Sequence, residues 1–172
     1  MLQEIRNRRS IRAFTSEPID DATINTIIEM GTWAPSGLNN QPWKFVVVKS
    51  REYLEKLSQQ TTYSHIIQGA PSCIAVFLDT TASYHREKDI QAIGACLQNM
   101  LLTIHHLGLG GVWLGEILNN RKNVENILNV PPTLELMAVV AFGHPAEKKG
   151  RGTRKPLDDV VVARVEDHQA LS

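Results

Sequence analysis

The sequence predicts a single globular domain in which helices and strands are mixed, and two kinds of pattern support this. Apolar runs with little alternation cover Trp43–Val48 and residues 73–78, which is typical of strands buried on both faces. Apolar residues at helical spacing between 86 and 107 predict one long amphipathic helix. No linker, repeat or low-complexity tract divides the 172 residues, so we expect one domain over 1–172.

Helix signals flank the first strand. Residues 2 to 8 predict a short N-terminal helix. Asp20 is expected to cap the next helix, with Ile19 and Ile24 forming a hydrophobic staple across its first turn. Gly31 is expected to end that helix, and Ser50 to cap a third one after the strand.

The second half predicts short strands at 112–114 and 136–142, with a helix capped by Asn120 between them. A fifth strand is expected at 160–165, which is unusually apolar for a tail. Since an exposed apolar edge invites aggregation, pairing of this strand with a neighbour's sheet would explain its composition. The long helix has a second face of small residues, which indicates packing against a partner subunit.

Composition excludes several classes of function. Lys plus Arg and Asp plus Glu number 18 each, so no net field favours nucleic acid or an anionic membrane. No apolar run approaches a membrane span, and residues 1–15 lack a signal-peptide pattern. The two cysteines, Cys73 and Cys96, have no metal-ligand spacing, so we expect buried thiols, no metal site and a cytoplasmic location.

The segment from Trp33 to Phe45 contains the most informative motif. A tryptophan stands on each side of a loop that holds proline, serine, glycine and two asparagines, residues that set turn geometry and present polar groups. A polar loop clamped between two large apolar side chains predicts a cradle for a flat heteroaromatic ligand with a polar rim.

Two basic clusters are candidates for anion binding. Arg8, Arg9 and Arg12 surround Ser10, and a second cluster covers residues 148 to 155. Each could be a solvated surface, or guanidinium forks could bind phosphate oxygens in pairs. If the fold brings the clusters together, they would form a phosphate clamp without a Walker or dinucleotide-binding loop. The glycines at 108, 110 and 111 follow a helix and precede a strand, the reverse of the dinucleotide order.

Several segments together resemble the nitroreductase family of FMN-dependent oxidoreductases, in its short single-domain form. They are RRSIRAF at 8–14, WAPSGLNNQPW at 33–43, GLGGVWLG at 108–115, GHP at 143–145 and RKPL at 154–157. The resemblance implies an α+β, three-layer fold with a mostly antiparallel central sheet flanked by helices. It also implies a homodimer with FMN at the interface and a C-terminal strand exchanged with the partner subunit.

The resemblance assigns cofactor contacts position by position. It implies that Arg8, Arg9 and Ser10 hold the phosphate and ribityl chain, and that Arg12 lies beside the pyrimidine ring as electrostatic support. It further implies that a loop from the other subunit contacts the flavin through Pro35, Ser36, Gly37 and Asn39. It implies that the backbone of Leu114 and Gly115 lies near flavin N5, and that Arg154 and Lys155 are the C-terminal phosphate ligands. No side chain is expected to act as nucleophile or general acid.

Two departures from the family pattern concern the site. The family often has a second small hydroxyl residue where this chain has Gly37, so one hydrogen bond to the flavin would be missing. Only residues 79 to 88 are available to cover the active site, so the pocket is expected to be open or covered by other loops. Residues 62 to 65 match no sharp motif, and Trp113 either lines the pocket or fills the core.

The function implied is reduction of nitroaromatic, quinone or similar small electrophilic acceptors by NADH or NADPH, in a ping-pong hydride or electron transfer through FMN. Three alternatives remain: reductive dehalogenation or oxygen-dependent flavin breakdown on the same fold, a non-catalytic flavin-binding or sensing protein, and a phosphate- or nucleotide-binding module. Neither nucleic acid nor a membrane is an expected partner.

Overall fold

A computed structural model describes residues 2–148, 150 and 152–165, and its centre is a four-stranded antiparallel sheet. The strands lie in the order β1-β2-β4-β3. They are β1 (Trp43–Val48), β2 (Ser72–Asp79), β3 (Gly110–Leu114) and β4 (Leu134–Gly143). All three neighbouring pairs are antiparallel, which confirms the predicted α+β class.

Helices cover both faces of the sheet, giving three layers. They are α1 (Leu2–Asn7), α2 (Asp21–Thr32), α3 (Arg51–Ser58), α4 (Ser64–Gly69), α5 (Arg86–His106) and α6 (Arg121–Ile127). One apolar core joins α2 and α5 to the sheet, and the other joins α3, α4 and α6 to the opposite face. Within the described part of the chain, no helix is both long and apolar enough to cross a bilayer.

Alternate residues of the central strands enter opposite cores. Ile74 and Val76 of β2 lie in the first core, whereas Ala75 and Phe77 lie in the second. Burial on both faces is therefore confirmed for β2, but for Trp43–Val48 it is wrong. Among the described residues, strand β1 pairs only with β2, and Lys44 and Val47 are exposed. An apolar run does not distinguish an edge strand from a central one.

The predicted helix start at Asp20 is confirmed. Its carboxylate accepts a hydrogen bond from the Thr23 backbone N–H at 2.7 Å, which satisfies one of the donors that a helix N-terminus leaves unpaired. Ile19 and Ile24 are both buried in the first core. Ser50 and Asn120 also stand at N-cap positions, but neither side chain makes a capping hydrogen bond.

Gly31 does not end α2 as expected, because the helix continues to Thr32. Gly31 instead allows α2 to approach α5. A Cβ atom at this position would lie 2.7 Å from Cγ of Met100 and 3.2 Å from Sγ of Cys96, closer than atoms pack without displacement. The glycine therefore serves helix packing rather than chain termination.

The fifth strand predicted at 160–165 is not formed within the single chain. After a short 3-10 helix at Leu157–Asp159, residues 161 to 165 have no assigned strand pairing. Val160, Val162 and Val165 are all exposed. A strand needs a neighbour to receive its backbone hydrogen bonds, and within the part of the chain that the structure describes this segment pairs with no strand. Exchange with a partner's sheet stays a prediction.

Candidate cofactor site

The two basic clusters named in the sequence analysis converge in the fold. The Arg9 side chain donates from Nε to the Gly150 carbonyl oxygen at 3.3 Å. Its guanidinium lies so close to Gly152 that a Cβ atom there would stand 2.9 Å from the Arg9 Cζ. A cleft of about 500 Å³ lies between the N- and C-terminal segments. It is lined by Gln3, Ile5, Arg6, Asn7, Arg9, Gly152 and Arg154.

The charges in this cluster repel each other. Partial burial lowers the pKa of Arg8, and the positive charges of Arg9 and Arg154 lower it further. Within residues 2–148, 150 and 152–165, none of these three arginines forms an ion pair with a carboxylate. Such a cluster is electrostatically unfavourable until an anion occupies it. The arrangement therefore suits a phosphate group.

Ser10 and Arg12 extend this cluster along the sheet. Ser10 forms a parallel bridge with Gly111, and the Ile11 N–H donates to the Gly111 carbonyl oxygen at 3.1 Å. Gly110 permits this contact, since a Cβ atom there would be 2.7 Å from the Ile11 side chain. The Arg12 N–H donates to Glu147 Oε1 at 2.7 Å. Two motifs that are distant in sequence, at 8–12 and 108–115, thus run side by side.

The end of β3 is held to a neighbouring turn. Leu114 is buried and Gly115 is exposed, and a 3-10 helix follows at Glu116–Asn120. The Glu116 carboxylate accepts hydrogen bonds from Thr61 Oγ1 at 2.5 Å and from the Thr62 N–H at 3.1 Å. The first of these bonds contributes most to lowering the pKa of Glu116. Glu116 and Thr61 were missed by the sequence analysis, although the carboxylate directly follows Gly115.

Trp113, also in β3, is 42% exposed. This exposure excludes the alternative in which its side chain fills the core. The other tryptophans differ from expectation too. Trp43 is buried in the first core, whereas Trp33 is 75% exposed, so the pair does not clamp the loop between them from both sides.

That loop has an unusual backbone. Leu38, Asn39 and Gln41 have φ angles of 54°, 55° and 46°, in the left-handed region that residues other than glycine rarely adopt. Ser36 Oγ closes the loop by accepting from the Gln41 N–H at 3.0 Å. Leu38 is 88% exposed. Residues held in such conformations cluster at functional sites.

A buried carboxylate anchors the loop and was also missed by the sequence analysis. Asn40 Nδ2 donates to Asp89 Oδ1 at 2.8 Å and to the Ala82 carbonyl oxygen at 3.1 Å. Asp89 Oδ2 also accepts from Ser83 Oγ at 2.7 Å. Burial alone would raise the pKa of Asp89, but these hydrogen bonds outweigh it and the pKa is lowered. The loop is therefore fixed to the start of α5.

The assigned residues thus form two groups in one chain. Arg8, Arg9, Ser10, Arg12 and Arg154 surround the basic cleft and the adjacent edge of β3. The loop of Pro35, Ser36, Gly37 and Asn39 is joined to this group by no hydrogen bond or ion pair of the described residues. Lys155 is exposed. Lys149 and Arg151 of the second basic cluster lie outside the described residues.

The antiparallel sheet differs from the parallel, doubly wound sheet of the dinucleotide-binding folds. A family model described as the nitroreductase family matches residues 5–62 and 55–144. The chain belongs to the nitroreductase family and is an oxidoreductase, which confirms the resemblance found in the sequence.

Individual relatives agree with this assignment. A provisionally named NADH dehydrogenase/NAD(P)H nitroreductase of Archaeoglobus fulgidus is 35% identical, over 86% of this chain and 87% of its own. An iodotyrosine deiodinase of Thermotoga neapolitana is 26% identical, over 91% and 93%.

Solved structures of relatives include bound ligands. The crystal structure of a provisionally named nitroreductase from Desulfovibrio desulfuricans in complex with FMN is 45% identical with a TM-score of 0.90, and the match covers 96% of each chain. The NADPH:FMN oxidoreductase of Vibrio harveyi, complexed with NAD+, is 26% identical with a TM-score of 0.85, over 99% of this chain and 79% of that one.

Proposed function

We propose that this protein is an FMN-dependent oxidoreductase that takes electrons from NADH or NADPH and passes them to a small electrophilic acceptor such as a nitroarene or a quinone. The observation that carries the proposal is the convergence of Arg8, Arg9 and Arg154 with no carboxylate partner among the described residues. A phosphate is the ligand that such a cluster fits. The FMN-bound relative and the family membership support the rest.

The residues present fit FMN. The three arginines would hold the phosphate, and the Arg9 guanidinium lies next to Gly152, where a Cβ atom would stand 2.9 Å from the Arg9 Cζ. Ser10 would contact the ribityl chain. Arg12 is exposed, and its guanidinium would face the pyrimidine side of the ring. When bound, FMN supplies the hydride-accepting and hydride-donating chemistry.

The chain itself supplies position and charge. A permanent cation at Arg12 would stabilise the negative charge that the pyrimidine ring gains on reduction. The backbone at Leu114 and Gly115 would approach flavin N5, with Glu116 fixing the neighbouring turn. No side chain of this set needs to be a nucleophile, since the flavin would carry the reaction.

A homodimer would complete the site, because no hydrogen bond or ion pair of the described residues joins the 35–39 loop to the basic cleft of the same chain. An apolar groove of about 590 Å³ lies beside α2 and α5 and includes the exposed Trp33. Apolar surfaces of this kind mark protein interfaces. The open edge of β1 and the exposed apolar segment at 160–165 support exchange of the C-terminal strand between subunits.

The test is an anaerobic absorbance spectrum of the purified protein, before and after NADH and then NADPH. We expect a yellow protein that bleaches with one of the nicotinamides and recovers its colour with a quinone or nitroarene. A flavin that stays oxidised would support a non-catalytic flavin-binding or sensing protein instead. No flavin, even after added FMN, would favour a phosphate- or nucleotide-binding module and contradict the proposal.

Reductive dehalogenation is the second candidate, because an iodotyrosine deiodinase is among the relatives. It differs from the first only in the acceptor. Halide release from an iodophenol by the reduced protein would favour it. Turnover of quinones without halide release would favour the first proposal.

A further inference from the structure

The loop that carries Gly37 is in unusually close contact with Tyr84. A Cβ atom built on Gly37 would lie 1.9 Å from the Tyr84 hydroxyl oxygen and 2.6 Å from the Tyr84 Cζ. The first distance is little more than a covalent bond length. The tyrosine hydroxyl therefore occupies the space in which the first side-chain atoms of any other residue 37 would stand.

The surrounding residues hold Tyr84 in this place. The Tyr84 N–H donates to Asp89 Oδ2 at 3.1 Å, and the same carboxylate binds Asn40 of the loop. The Lys88 ammonium lies over the tyrosine ring, 5.5 Å from its centroid. One buried carboxylate thus binds both Asn40 of the loop and the backbone at Tyr84, which places the tyrosine beside the loop.

The Tyr84 hydroxyl is not used within the fold. No hydrogen bond identified for the described residues involves it, although it can both donate and accept. The side chain is 44% exposed. Its hydroxyl oxygen lies against Gly37, in the loop whose Leu38, Asn39 and Gln41 have positive φ angles, so a ligand that contacts this loop would come within reach of the hydroxyl.

We propose that Tyr84 is a cofactor-contacting residue, whose hydroxyl hydrogen-bonds to the polar edge of the flavin ring in place of the side-chain hydroxyl that position 37 lacks. With Tyr84 in this position, a side chain at residue 37 would displace the tyrosine hydroxyl. The connection between β2 and α5, residues 80–85, would thereby take part in the site. This inference rests on the proposed FMN function.

The test compares FMN dissociation constants of the wild-type protein, Tyr84→Phe, Tyr84→Ala and the double variant Tyr84→Ala/Gly37→Ser, measured by flavin fluorescence titration. Tyr84→Phe removes only the hydroxyl and should weaken binding about fivefold. Tyr84→Ala should weaken it at least as much. The double variant returns a hydroxyl to residue 37 and should bind within about twofold of wild type.

Tyr53→Phe is the matched control. Tyr53 is also exposed and has a lysine, Lys56, 5.2 Å from its ring centroid, but it lies on α3 outside the site. Its replacement should leave FMN binding unchanged. Thermal unfolding of each apo-protein checks that the variants are folded.

The outcomes separate the two proposals. Wild-type affinity in Tyr84→Phe would overturn this inference and leave the oxidoreductase proposal standing. Failure of the serine to restore binding in the folded double variant would also count against it. Absence of FMN binding by the wild-type protein would overturn the proposed function and this inference with it.

Discussion

The two halves of the candidate site are built in opposite ways. The loop half, at residues 35–41, is tied by Asn40 to a buried carboxylate that accepts four hydrogen bonds from residues 40 and 83–85. In the basic half, arginines lie close together, and among the described residues no carboxylate neutralises them. The loop half is therefore fixed by the fold, whereas the basic half needs a ligand to balance its charge. Substitutions in the loop half should therefore lower the free energy of unfolding, whereas substitutions in the basic half should weaken FMN binding.

The largest effect is expected for Asp89→Ala, and an unchanged free energy of unfolding in this variant would contradict the comparison. Removal of the buried carboxylate takes away the acceptor of four partly buried donors, so we expect the free energy of unfolding to fall by about 3 kcal/mol. Urea denaturation of the apo-protein measures it. Glu52→Ala, which removes an exposed ion pair with Lys56, is the control and should change stability far less.

Arg154→Ala tests the other half. Loss of one guanidinium should raise the FMN dissociation constant about 30-fold, since a hydrogen bond to a charged group contributes about 2 kcal/mol. The unfolding midpoint of the apo-protein should not fall, because a repulsive charge has been removed. Arg154→Lys keeps the charge but loses the paired donors, so its FMN dissociation constant should lie between those of the wild-type protein and Arg154→Ala. Unaltered FMN affinity in Arg154→Ala would contradict the phosphate assignment.

The basic half was largely predictable from sequence because its motifs are local. Arg8, Arg9 and Ser10 are adjacent, and the basic segment at 148–155 is visible in composition alone. Their convergence was only a hypothesis, since nothing local fixes the path of the chain between them. The loop at residues 35–41 was only partly predictable from the sequence. Its turn residues were evident, but its anchor was not.

The anchor was missed because it depends on distant contacts. Asn40 and Asp89 are 49 residues apart, and an aspartate in the first turn of a helix ordinarily indicates only a favourable interaction with the helix dipole. The same limit explains the errors in the fold. The apolar pattern predicted α5 and β2 correctly, but it did not show that β1 is an edge strand or that Gly31 serves the α2–α5 contact.

Arg12→Ala is expected to have a smaller effect, on reduction rather than on binding. Loss of a cation beside the pyrimidine ring destabilises the negative charge gained on reduction, so the midpoint potential should fall by about 30 mV, or about 1.4 kcal/mol for two electrons. FMN affinity should change by less than about threefold. Spectroelectrochemical titration measures the potential, and an unchanged value would remove Arg12 from this role.

The pH dependence of stability gives the smallest and most specific effect. Because the folded-state pKa of Asp89 is lowered, its stabilising contribution is fully present above its ordinary pKa of about 3.9 and is lost as the pH falls through the lower folded value. The stability difference between the wild-type protein and Asp89→Asn should therefore be constant near neutral pH and narrow below about pH 4. Urea denaturation of both proteins between neutral pH and about pH 3 measures it. A difference that persists unchanged in acid would mean that the amide and the carboxylate differ in packing alone, and that the ionised carboxylate is not what anchors the loop.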